Sequence, residues 1–161
     1  MNKNETKRFT AFTTVMFVIT GLYIAFIWVH SLMSAEKSTV ESTRVLDFLI
    51  NFLKSLGINA ELTDHIVRKT AHFCEFALLG CLTLWCGYLL NKNIVKLLLP
   101  VGGVCLAVAI IDEIIQIFSP GRSCQFSDVI LDLSGSICGA VFFILIIIII
   151  LLIKKRKSKH E

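Results

Sequence analysis

The residues able to do chemistry in this chain fall in three short clusters, each at one end of a long apolar segment. They are Arg68-Lys69-x-x-His72-x-x-Glu75, Asp112-Glu113-x-x-Gln116 and Asp128-x-x-x-Asp132. Arginine carries a planar fork of donors that matches a phosphate, and histidine titrates near neutrality. Carboxylates move protons, orient guanidiniums or ligate cations. Beside so much hydrocarbon, ionisable groups are costly; they face a bundle interior or a wet cavity and so mark a site. A single histidine on an apolar helix, or one Arg–Glu pair, has an ordinary packing explanation. One histidine with Arg68, Arg122 and the acids Glu75, Asp112, Glu113, Asp128 and Asp132 exceeds what packing requires.

Helical periodicity groups these residues further. Arg68, His72 and Glu75 make one stripe, Asp112 and Gln116 lie one turn apart, and Glu113 is three residues before Gln116. Glu75, one turn from His72, is expected to favour its imidazolium, so that the two act as a unit. Asp128 and Asp132 share a stripe with Gly135 and Gly139, whose G-x-x-x-G spacing lets a neighbouring helix approach closely. Asp128 also reads as an N-cap for the last segment, whereas Asp132 is one turn too deep for capping.

The elements that must hold these stripes are transmembrane helices. The chain has 161 residues, 55% of them hydrophobic, and a mean hydropathy of +0.77, too apolar for an ordinary soluble domain. Segments 9–29, 71–90, 97–118 and 129–153 each approach or exceed the roughly 20 apolar residues that span a bilayer. The first has basic residues ahead of it, but its apolar core is too long for a signal peptide and no small-residue cleavage site follows. The expected fold is all-α: a single membrane domain over residues 1–161 with four spans and one amphipathic extracytoplasmic helix at about 40–57. Ser38-x-x-Glu41 reads as the capping box of that helix. Val45, Leu49, Phe52, Leu53 and Leu56 recur along it at helical spacing, and Gly57 ends it. Such a helix lies on the membrane surface or folds over the bundle. Thr63 is the expected N-cap of the next helix, with Asp64 in its first turn.

The basic residues set the orientation. Of sixteen Lys and Arg, ten fall at the N-terminus, in the 92–96 loop and in the tail Lys154-Lys155-Arg156-Lys157-x-Lys159; six are spread over the other side. The positive-inside bias then puts both termini in the cytoplasm and all three polar clusters in the outer leaflet. A basic tail directly after an apolar run reads as an anchor to anionic headgroups, which excludes a nucleic-acid partner. The six cysteines have neither metal-ligand nor disulfide-framework spacing. There is no P-loop, G-x-S-x-G or H-E-x-x-H. No metal is therefore assigned, and the cofactor, if any, stays unspecified.

Taken in order, the motifs resemble the VanZ-like family of bacterial membrane proteins. The resemblance rests on R-K-T-A-H-F-C-E-F-A-L-L-G at 68–80, D-E-I-I-Q-I-F at 112–118 and S-P-G-R-S-C-Q-F-S-D-V-I-L-D-L-S-G at 119–135. His30-Ser31-Leu32, with Ser38 and Ser42, is similar to a serine-containing segment of that family, which adds Ser31 to the candidate residues. The resemblance implies a multi-pass protein of the bacterial plasma membrane, in a family whose founding member is linked to teicoplanin resistance.

Three functions fit these residues. The first is a site at the outer leaflet that binds or handles an anionic lipid or cell-envelope intermediate, gripped by Arg68 and Arg122. The second is a membrane-embedded enzyme, acid–base or metal-assisted, acting on a lipid-linked substrate. The third is a structural polar network in a protein whose function lies with its partners.

Overall fold

A computed structural model of the chain describes residues 3–58 and 61–157; Lys159 of the basic tail lies outside the described residues. Five helices follow in order: α1 (Lys3–Ser31), α2 (Ala35–Ser55), α3 (Asp64–Leu90), α4 (Ile94–Ile117) and α5 (Phe126–Lys157). All but α2 are long and apolar enough to cross a membrane, and a helix satisfies its own backbone in hydrocarbon. Leu22, Val95, Leu99 and Phe142 are among the many large apolar side chains that point outward. They form the surface that lipid covers.

The helices overrun the apolar segments. α3 begins well before residue 71, because the Thr63 side chain accepts from the Ile66 amide at 3.3 Å and caps the first turn. Asp64 lies in that turn and also accepts from the Thr43 hydroxyl at 3.0 Å. Arg68, Lys69 and His72 therefore project from a regular helix.

α2 starts earlier than the expected capping box. Ser34, not Ser38, is the N-cap, accepting from the Lys37 amide at 3.4 Å. The Ala35 amide, which has no partner within the helix, donates to the Pro120 carbonyl at 3.0 Å. That bond to the α4–α5 loop allows the extra turn and leaves Ser38 inside the helix. The other end matches expectation. Gly57 adopts φ 77°, Gly57 N–H donates to Lys54 C=O and Ile58 N–H to Leu53 C=O, a Schellman stop.

α3 is the hub. It packs against α1, α2, α4 and α5, while α1 and α5 also pack on α4. The α3–α5 contact is the closest: a Cβ at Gly80, Gly135 or Gly139 would come within 3.0 Å of the backbone of Ser136, Phe73 or Ala77 respectively. The two glycines of G-x-x-x-G thus face α3, and Gly80 answers them from the other side. α2 packs mainly on α3, and its buried positions are Ser38 and Ser42. The apolar positions Val45, Phe52 and Leu56 stay about half exposed. Docking thus uses small residues near the start of α2 and leaves much of its apolar stripe exposed.

An apolar core of Phe76, Leu79, Leu84, Val101, Val108 and Phe143 fills the middle of the bundle. At one end it gives way to a buried polar layer that includes Ser31, Asp112, Glu113, Gln116, Ser119 and Asp132. The last turns of α1 and α4, the loop after α4 and the start of α5 supply these buried residues, and α3 borders them with the half-buried His72 and Glu75, as expected of helices that cross in alternating directions.

Candidate functional site

The α4–α5 connection folds inward over the polar layer. Ser119-Pro120-Gly121-Arg122 forms a turn closed by Arg122 N–H donating to Ser119 C=O at 3.1 Å. Proline at the second position and φ 77° at Gly121 are the requirements of a type II turn. The Ser119 hydroxyl donates to the Ser31 carbonyl at 2.8 Å, and the Gln125 amide donates to Glu113 Oε2 at 2.8 Å. The loop is thereby tied to α1, α2 and α4, and Arg122 is carried to the mouth of a cleft of about 100 Å³.

That cleft gathers most of the candidate residues. Arg68, Lys69 and His72 come from α3, Glu113 and Gln116 from α4, Arg122 from the turn, and Asp128 and Asp132 from α5. Lys69 and Asp128 are joined in a salt bridge. α5 begins at Phe126, so Asp128 lies within its first turn, and its carboxylate serves Lys69 instead of acting as the N-cap. Neither the Arg68 nor the Arg122 guanidinium enters a hydrogen bond or ion pair among the described residues. Burial, and then the like charge of Arg68, lower the proton affinity of Arg122; Asp112, Glu113 and Glu75 act the other way. Two guanidiniums therefore stand near enough to repel one another across one small cleft.

Beneath them the carboxylates are dry. Asp112 is 0% exposed, Asp132 1% and Glu113 2%. Gln116 Nε2 donates to Asp112 Oδ2 at 2.9 Å, but Asp112 Oδ1, Glu113 Oε1 and both Asp132 oxygens have no partner. The Ser31 hydroxyl lies near Asp112 without forming a hydrogen bond. Each such orphaned atom costs on the order of 1–3 kcal/mol. His72, half-buried, offers a ring nitrogen to this group: donor atoms of His72, Asp112 and Asp132 all lie within 4.8 Å of one another. Among the described residues, these three are placed to hold a metal. The partial H-x-x-E motif of α3 is not used that way.

Glu75 departs from the expected pairing. Its carboxylate meets His30 Nδ1 at 3.1 Å, its backbone carbonyl accepts from the Tyr23 hydroxyl at 3.0 Å, and His30 reaches on to Glu41 of α2 at 3.5 Å. Glu75 still acts on His72 through space, but its bonded partner is on α1. In the sequence His30 stands out only as part of the serine-containing segment, although the rule that singles out His72 applies equally to an ionisable residue at the end of an apolar span. The turn that carries Arg122 lies in the loop expected between the third and fourth spans, and the Pro-Gly dipeptide at 120–121 announces its type.

A second pocket adjoins the first. It has about 440 Å³ and is mostly apolar, lying between α2 and α3 with Val45, Leu49, Leu62, Ile66 and Val67 in its walls. Arg68 lines both spaces.

A family model described as VanZ/LLP1 matches residues 13–150. No protein of curated function and no solved structure matches the chain.

Proposed function

The chain belongs to the VanZ/LLP1 family, and for this member we propose that the polar cleft binds the phosphate of an anionic lipid or lipid-linked cell-envelope intermediate. With both termini in the cytoplasm, as the basic residues favour, the cleft opens to the outer leaflet of the bacterial plasma membrane. Lipid-linked wall precursors, on which glycopeptides such as teicoplanin act, are exposed there. The observation that carries the reading is the pair of unpaired guanidiniums, Arg68 and Arg122, in one cleft where Lys69 is already held by Asp128. Two like charges close together without an anion are unfavourable, and a phosphate between them turns that repulsion into charge-assisted, bidentate bonding. The shared wall at Arg68 supports it further: a headgroup in the small cleft can trail its apolar chain into the larger pocket under α2.

The test is lipid occupancy of the full chain, purified in mild detergent and measured by native mass spectrometry with lipid extraction. Hydrogen bonds to charged groups contribute about 1.5–3 kcal/mol, so Arg68→Lys and Arg122→Lys should each weaken retention of a phosphate-bearing lipid by roughly 10- to 150-fold at unchanged membrane abundance. Unchanged occupancy in both Lys variants would overturn the reading.

The buried acids beside His72 favour a second reading, an acid–base enzyme acting on the same lipid. Conversion of the bound lipid by the wild-type chain, absent in His72→Gln, separates it from binding alone.

A further inference from the structure

We propose that His72, Asp112 and Asp132 form a binding site for one divalent cation of the Zn2+ or Mn2+ class. This goes beyond lipid binding and does not depend on it. The three residues come from α3, α4 and α5, far apart in sequence, yet their donor atoms fall within 4.8 Å of one another. Donors around a tetrahedral ion with bonds of about 2.1 Å stand about 3.4 Å apart, a gap that side-chain rotation closes.

A cluster of acids alone would not make a site; the unmet valences of this one do. Asp132 is 1% exposed and Asp112 0%, and Asp132 Oδ1, Asp132 Oδ2 and Asp112 Oδ1 have no partner. An uncompensated charge in a low-dielectric interior costs several kcal/mol, and a divalent ion between the two carboxylates removes both penalties together. The remaining Asp112 oxygen accepts from Gln116 at 2.9 Å, the kind of outer contact that orients a ligating carboxylate. The frame is rigid as well, since Gly135 and Gly139 hold α5 against the α3 backbone at Phe73 and Ala77, in the two turns that directly follow Asp132 and His72.

One imidazole nitrogen with carboxylate oxygens suits Zn2+ or Mn2+, whereas Ca2+ and Mg2+ favour oxygen and water alone. Three protein donors leave coordination positions open. His72 and Asp132 line the cleft, so those positions face the space between the arginines, where water or an anion oxygen can complete the shell.

The experiment uses the full chain in detergent micelles, stripped with a chelator and titrated separately with Zn2+ by calorimetry and Mn2+ by electron paramagnetic resonance. Mg2+ and Ca2+ serve as comparison ions. The expected result is about one equivalent per chain for Zn2+ or Mn2+. Affinity should fall by more than about 100-fold in Asp112→Asn, Asp132→Asn and His72→Gln, beyond the effect of losing an outer contact. Asp47→Asn, on the exposed side of α2, should leave it unchanged. X-ray absorption of the Zn2+-loaded wild-type chain should show nitrogen and oxygen ligands without sulfur, a readout that survives any failure of the variants to fold. The proposal is overturned if the wild-type chain binds neither metal, if sulfur ligates the zinc, or if a folded Asp132→Asn protein binds as the wild type does.

Discussion

Asp132→Asn separates a functional centre from a structural network by its sign. In the metal-free protein both Asp132 oxygens are buried without a partner, near Asp112, whose Oδ1 is also orphaned. Asparagine keeps the shape, cannot ionise and brings an amide able to donate to Asp112. It thus relieves one or two unsatisfied groups at about 1–3 kcal/mol each, less the cost of the amide it leaves partly unmet. We expect a net gain of about 1–3 kcal/mol in the presence of chelator, roughly a 5- to 150-fold shift in the folding equilibrium. Unfolding in mixed micelles can be followed by tryptophan fluorescence. Trp28 donates to the Val108 carbonyl at 3.4 Å and Trp85 stacks on Phe143 at 5.8 Å, so the two report on the α1–α4 and α3–α5 contacts. Added Zn2+ should reverse the order, because only the wild-type chain gains binding free energy, about 4.1 kcal/mol at a thousandfold excess over Kd. If Asp132→Asn is instead less stable than wild type by about 1 kcal/mol or more in chelator, Asp132 is a structural tie and the reasoning fails.

Two further outcomes follow from the packing. His30 and Glu75 should show a coupling energy of about 0.5–3 kcal/mol in a double-mutant cycle on unfolding, larger than that between His72 and Glu75, because the bonded pair is His30–Glu75 at 3.1 Å; equal couplings would contradict the geometry. Cys124 is exposed in the α4–α5 loop; with the other cysteines replaced, an impermeant thiol reagent should label it in intact cells and leave a cysteine at Asn91 untouched, and the opposite pattern would invert the orientation.

Much of the bundle is legible in the residues themselves. The four spans follow from apolar runs matched to bilayer thickness, the start of α3 from Thr63, the end of α2 from Gly57, and the tight α3–α5 contact from Gly135 and Gly139. These are local properties: a cap, a left-handed turn or a missing Cβ acts within a few residues of its own position, so spacing reveals it. The start of α2 is not local. Ser34 and Ser38 are both competent caps, and the choice rests on the Pro120 carbonyl, more than eighty positions along the chain.

The candidate site divides along the same line. Periodicity puts Arg68, His72 and Glu75 on one stripe, and Asp128 with Asp132 on another. Alone, it also determines that ionisable groups cluster at one end of the apolar spans. A stripe subtends a wide arc, however, and neighbouring helices compete for different parts of it. Only the tertiary structure decides that Glu75 turns to His30 on α1, that Lys69 takes Asp128, and that His72 is left with Asp112 and Asp132. Those choices depend on helix separations and rotations of a few ångströms, and nothing within a single segment encodes them.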